Sequence, residues 1–231
     1  MVNVNERIRI GLAGWGDHDA LYPAGTPAGR KLSIYAKQFE LVEVDSSFYA
    51  VPAVGTVKRW VEETPDDFGF VVKAHQAMTG HDRRQGREGA GNRFSHEKEM
   101  FDAFLSAFAP MIETGKLKAL LFQFPPWFDC TRENIGRLRR MKERMGGVPA
   151  ALEFRHRSWF QPGIREKTLA FMEREGWIHS VCDEPQAGAG SVPAVPVPTH
   201  PERTVVRFHG RNAGGWNSQG REREEWRAVR Y

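Results

Sequence analysis

Short apolar runs alternate with longer amphipathic ones from one end of the chain to the other. The short runs predict strands at 9–15, 41–48, 69–75, 117–124, 149–156, 178–184 and 204–210. Between them, periodic stretches at 27–38, 54–63, 96–114, 132–145 and 162–175 predict helices. In "SHEKEMFDAFLSAF" Ser95 is placed as N-cap, with acidic residues in the first turn. Met100, Phe101, Phe104, Leu105 and Phe108 then fall on one helical face. "TRENIGRLRRMKERMGG" opens on a capping Thr131 and stops at a glycine pair. Strand and helix in repeated alternation predict a parallel sheet.

An open doubly wound sheet and a closed barrel both satisfy that order. Central strands covered by helices on both faces read apolar almost throughout, and these do not. Glu43 and Asp45 share one face of the second strand, and Lys73 and His75 one face of the third. Gln123 is the polar member of the fourth strand, and Glu153 and Arg155 share a face of the fifth. Asp183 opposes Cys182 in the sixth, and Arg207 and His209 share a face of the seventh. In each strand the polar positions gather towards the C-terminal end, where a TIM-type (β/α) barrel carries its catalytic side chains. The pattern therefore predicts one barrel domain over 1–231, α/β in class, with parallel strands and a charged pocket at its mouth. Seven strands are found where such a barrel has eight. The prolines of "QAGAGSVPAVPVPTHPER", 186–203, disfavour a central strand there. The last βα portion is accordingly expected to be missing from a C-terminally incomplete barrel.

Composition narrows the class without naming a function. The 231 residues are 40% hydrophobic and 27% charged, ordinary for a globular protein. A net charge of +4 is too small to announce a nucleic-acid partner. Two cysteines, Cys130 and Cys182, stand far apart and in no CxxC pair, which argues against a disulfide scaffold or structural zinc and suits a reducing cytosol. The N-terminal stretch lacks the pattern of a signal peptide, and no run approaches the roughly 18 apolar residues of a membrane helix. A cytoplasmic protein with no membrane association is expected.

"AGW", "YAKQFELVEVDSSFY", "VVKAH", "LLFQFPPWF", "LEFRHRSW" and "RFHGR", in that order, resemble the YecE-like family, domain of unknown function 72. The likeness runs from about residue 8 to the end of the chain and implies a TIM-type barrel, without supplying an activity. Three departures stand out. "GLAGW" replaces the family's Gly-Thr-Ser-Gly-Trp, so Leu12 and Ala13 occupy two hydroxyl positions. Asp45 stands where relatives more often have Asn. The chain stops at "EEWRAVRY", before the Asn-Asn-His pattern that ends the relatives' last strand.

Charges taken out of water cost several kcal/mol each, so a purely structural barrel interior would be filled with apolar groups. The preferred reading is an enzyme acting on a small anionic, phosphate-containing substrate, in reaction type a hydrolase. Glu153, Asp183 and His209 would move protons. Lys73, Arg155, Arg207 and Arg211 would hold the anion, with Trp15, Glu43, Asp45, His75, Gln123 and Trp159 completing the pocket. No cofactor is indicated. A metal on Glu153, Asp183 and His209 is not expected, because no HxH or HExxH spacing supports it and Arg155 would repel a cation. Two alternatives stand beside this reading. A nucleic-acid-binding module without chemistry would use the arginines of the 80–93 loop (Arg83, Arg84, Arg87, Arg93) and the basic stretch from Arg207 onward. A carbohydrate-processing barrel would use Glu43 and Glu153 as its carboxylate pair, in surroundings poorly matched to a neutral sugar.

Overall fold

The computed structural model describes residues 8–81, 97–211 and 213. Ser95, the loop arginines Arg83, Arg84, Arg87 and Arg93, and the basic stretch from 214 onward lie outside the described residues. Strands β1 (Gly11–Ala13), β2 (Leu41–Val44), β3 (Gly69–Lys73), β4 (Leu117–Gln123), β5 (Ala150–Glu153), β6 (Ile178–Asp183) and β7 (Val205–Phe208) follow one another in the sheet in chain order. The pairs β1–β2, β2–β3, β5–β6 and β6–β7 are parallel. The helices are α1 (Ala28–Tyr35), α2 (Val54–Glu62), α3 (Gln76–Thr79), α4 (Glu97–Glu113), α5 (Arg132–Met145) and α6 (Arg165–Arg174). The sequence pattern places all seven strands and five of these helices. The single turn α3 escapes it, being too short to show a period. An eighth strand is absent among the described residues, so the fold is α/β with a seven-stranded sheet.

The chain divides into two compact units, Met1–His75 with Phe94–Leu120 and Gln76–Arg93 with Leu121–Tyr231. In the first, β1 lies so close to β2 that a Cβ on Gly11 would sit 2.0 Å from the Leu41 carbonyl oxygen. Tyr35 ties the same two strands together: its hydroxyl accepts from Leu12 N–H at 2.7 Å and donates to Leu41 O at 2.9 Å. Burial pushes that phenol up to about 12. Met100, Phe101, Phe104 and Phe108 of α4 are buried, as the helical spacing requires. Lys116 is buried as well, and its ammonium donates to Val61 O and Thr64 O, carbonyls at the end of α2.

In the second unit α5 begins where expected, with the Thr131 hydroxyl accepting from Asn134 N–H at 3.3 Å. It ends at Gly146, whose left-handed φ of 55° suits glycine. The loops after β4 and β5 are fixed by an aromatic column. Phe124 stacks on Phe128 at 4.0 Å and Phe154 on Trp159 at 4.0 Å, while the Trp159 indole N–H donates to Phe128 O.

The crossover from β6 to β7 contains only one short helical turn, Gly188–Gly190, before β7. Residues 191–199 form neither helix nor strand, and bury Ser191, Val192, Val195 and Thr199. Thr199 Oγ1 donates to Trp177 O, and Val197 O lies 3.0 Å from His179 Nδ1, so the segment is laced along β6 without joining the sheet. Val206 and Phe208 on β7 are 50% and 64% exposed, while the apolar residues of β3 are all buried.

Candidate functional site

Glu153, the last residue of β5, is the centre of a charged cluster in the second unit, and its side chain is 0% exposed. Gln123, at the end of β4, donates to its Oε1 at 2.6 Å, and Ser180 of β6 donates to its Oε2 at 3.4 Å. Arg207 of β7 donates to Oε2 at 2.8 Å, Arg155 lies 3.5 Å from Oε1, and His209 Nε2 lies 3.7 Å from Oε1. Burial alone would push this carboxyl up. The hydrogen bond and charge of His209 together with the Arg207 and Arg155 guanidiniums outweigh it and hold the group well below the usual carboxylate range. Such a carboxylate carries no proton to donate near neutrality. The two arginines and the histidine gather on it.

Register explains which residues meet. Leu152 is opposite His179, which brings Glu153 level with Ser180, and Cys182 is opposite Arg207. Side chains two apart share a face, so Ser180 and Cys182 accompany Glu153, while Asp183 falls to the other half of the period. Asp183 instead accepts from Arg211 at 2.8 Å. It lines an open cleft of about 590 Å³ with Glu184, Pro185, Gln186, Pro193, Ala194, Arg211 and Ala213. Its backbone carbonyl accepts from His209 N–H at 2.8 Å, which seats the histidine just past β7.

Glu184 is the residue that sequence reasoning missed. Its buried carboxylate accepts from Arg155 and, through Oε1, from Val192 N–H at 2.6 Å. Arg155 is thus held from two sides, by Glu153 and by the base of the β6–β7 crossover. Only the proline that follows Glu184 hinted that the chain turns there.

Glu153, Cys182 and His209 place one ligand-type atom each within 4.8 Å of one another. Arg207 Nη1, however, lies 2.8 Å from Glu153 Oε2 and 3.5 Å from His209 Nε2, so a fixed positive charge already occupies the place a cation would need. Burial, with Glu153 nearby, pushes the Cys182 thiol well up, which keeps it a neutral thiol rather than a thiolate ligand.

Trp159 is a packing residue and not a ligand platform. Its side chain is buried, its ring is covered by Phe154 and its N–H is spent on Phe128 O. The remaining candidates belong to the first unit. Lys73 lies 3.4 Å from Asp45 and over the Phe48 ring at 5.0 Å, an ion pair at the ends of β3 and β2. Trp15 packs edge-on to Trp60 at 5.2 Å. Glu43 and His75 are half-buried. Among the described residues, no helix is long and apolar enough to cross a membrane.

The family model described as "Protein of unknown function DUF72" matches residues 9–230. UPF0759 protein YunF of Bacillus subtilis (strain 168) is 52% identical over 97% of this chain and 77% of its own length. UPF0759 protein YecE of Escherichia coli (strain K12) is 28% identical over 70% of this chain and 53% of its own. Two crystal structures of DUF72 family proteins superpose well. The one from Enterococcus faecalis V583 has a TM-score of 0.84 at 36% identity, covering 96% of this chain and 77% of that one. The one from Thermotoga maritima MSB8 has a TM-score of 0.75 at 28% identity, covering 96% and 84%. The chain belongs to the YecE-like DUF72 family.

Proposed function

We propose that this protein is an enzyme that binds a small oxyanion, of the kind a phosphate ester presents, over the Glu153 cluster. Consecutive order of the seven strands supports reading the fold as a TIM-type barrel, with the cluster at the C-terminal ends of its strands. The observation that carries the proposal is the burial of the Glu153 carboxyl group with Arg155 and Arg207 gathered on it. A structural core would gain nothing from charges whose desolvation is only offset by pairing. A binding site gains guanidiniums already oriented for an anion, since Arg carries several donors in a rigid fork. His209 is the proton-transfer group, with its imidazole beside both the arginine and the carboxylate.

Calorimetric titration with inorganic phosphate and with a phosphate monoester tests this. Binding that weakens with salt and is lost in Arg155→Gln, with the circular dichroism of that variant unchanged, is the expected result. Equal binding by the wild-type protein and R155Q, or no binding of either probe, overturns it.

A further inference from the structure

The open cleft past β6 has a chemistry of its own. One wall comes from the β6–β7 crossover, where Pro185, Pro193 and Ala194 line it with carbon and the two prolines bring no backbone N–H. That wall is fixed from behind. Ser191 Oγ donates to Pro185 O at 2.6 Å, and Gln186 Nε2 donates to Val192 O at 2.9 Å. A volume of about 590 Å³ is in the range of small-molecule sites, and a bare oxyanion would leave most of it empty.

At the polar end Asp183 and Arg211 stand side by side, bonded at 2.8 Å. The carboxylate is 24% exposed and the guanidinium 74% exposed. A carboxylate only accepts and a guanidinium only donates, so this end offers both functions at neighbouring points. Gln186 spends its amide nitrogen on the carbonyls of Glu184 and Val192, which makes its oxygen a further acceptor. An anionic group here would face the Asp183 carboxylate, and a cationic one the Arg211 guanidinium. A plain aliphatic chain would suit the prolines and leave the ion pair unserved. A flat ring whose edge carries N–H groups beside acceptors meets both demands. Its face lies against the prolines and Ala194, and its edge meets Asp183 and Arg211.

The cleft adjoins the Glu153 cluster. Glu184 lines it and also accepts from Arg155, while the Asp183 backbone carbonyl accepts from His209 N–H. We infer that this cleft is the subsite for the organic half of the ligand and takes a nucleobase, which makes the phosphate ester a nucleoside phosphate. The inference rests on the anion-binding reading and adds the part of the molecule that the arginines do not touch.

Calorimetric titration of the full chain with inorganic phosphate, ribose 5-phosphate, and guanosine and cytidine 5′-monophosphates tests it. At least one nucleotide should bind roughly tenfold or more tighter than ribose 5-phosphate, the gain expected of one good contact to a base edge. Ala194→Trp, at an exposed position of the wall, should fill the cleft and remove that advantage while inorganic phosphate binds as in the wild-type protein. Asp183→Asn combined with Arg211→Gln leaves the net charge unchanged and should remove the same advantage. Nucleotides no tighter than ribose 5-phosphate, or an advantage that survives in either variant, overturns the nucleobase assignment. Phosphate binding that R155Q abolishes then leaves the anion site standing. Failure of every probe to bind the wild-type protein overturns both.

Discussion

Arg207 reaches Glu153 at 2.8 Å although their strands are not neighbours, since β6 lies between β5 and β7. Ser180 and Cys182 make this reach feasible. They are the β6 residues on the shared face, and both are small, so a guanidinium can cross above them to the carboxylate.

Arg207→Met should therefore strand a buried carboxylate, at a cost of about 3–5 kcal/mol in unfolding free energy. Adding Glu153→Gln to R207M should restore part of that loss, because the amide leaves no buried charge. Urea unfolding of the two single variants and the double variant measures the coupling, and strict additivity would show that the contact stabilises nothing.

Acid should weaken the fold through the same carboxyl. Its folded pKa is depressed below the ordinary 4.5, so its stabilising contribution is fully present above that pH and is lost as pH falls below it towards the folded value. Urea midpoints taken from about pH 6 down to about pH 3 should fall less steeply in Glu153→Gln than in the wild-type protein.

Glu184→Gln keeps an oxygen for Val192 N–H but removes the charge that balances Arg155. The cluster then carries one positive charge more than in the wild-type protein. Sulfate should bind more tightly to this variant than to the wild-type protein, as read by calorimetric titration. Weaker binding would mean that Glu184 orients Arg155 and that its charge does not matter.

Trp159→Ala empties a fully packed stack and should cost about 3–5 kcal/mol. Trp159→Phe keeps most of the ring contact with Phe154, losing the N–H bond to Phe128 O, and should cost less. Denaturant unfolding ranks the two.

Gly11→Ala drives a methyl group into the Leu41 carbonyl. It should destabilise the first unit by about 1–3 kcal/mol, seen as a lowered melting temperature. Amide exchange should show the loss first at β1 and β2.

Much of this architecture was readable in the residues. Strands such as "LKALLFQF" announce themselves by short apolar runs, and α5 by Thr131 at one end and a glycine pair at the other. Glu153, Arg155, Gln123, Arg207 and His209 were foreseen together, because parallel strands in consecutive order bring their C-terminal ends to one side. Two things escaped. Alternation within β6 was read from Asp183, the charged residue, when register selects Ser180 and Cys182. Glu184 lies beyond the strand, where no periodicity operates and only the fold of the crossover decides its direction.

The dense sharing around Glu153 has an implication for redesign. Arg155 is shared by Glu153 and Glu184, and Arg207 lies between Glu153 and His209, so exchanging one of them alone alters the contacts of another. Altered ligand preference would have to be sought among compensated combinations, with Glu153, Arg155, Glu184 and Arg207 varied as a quartet.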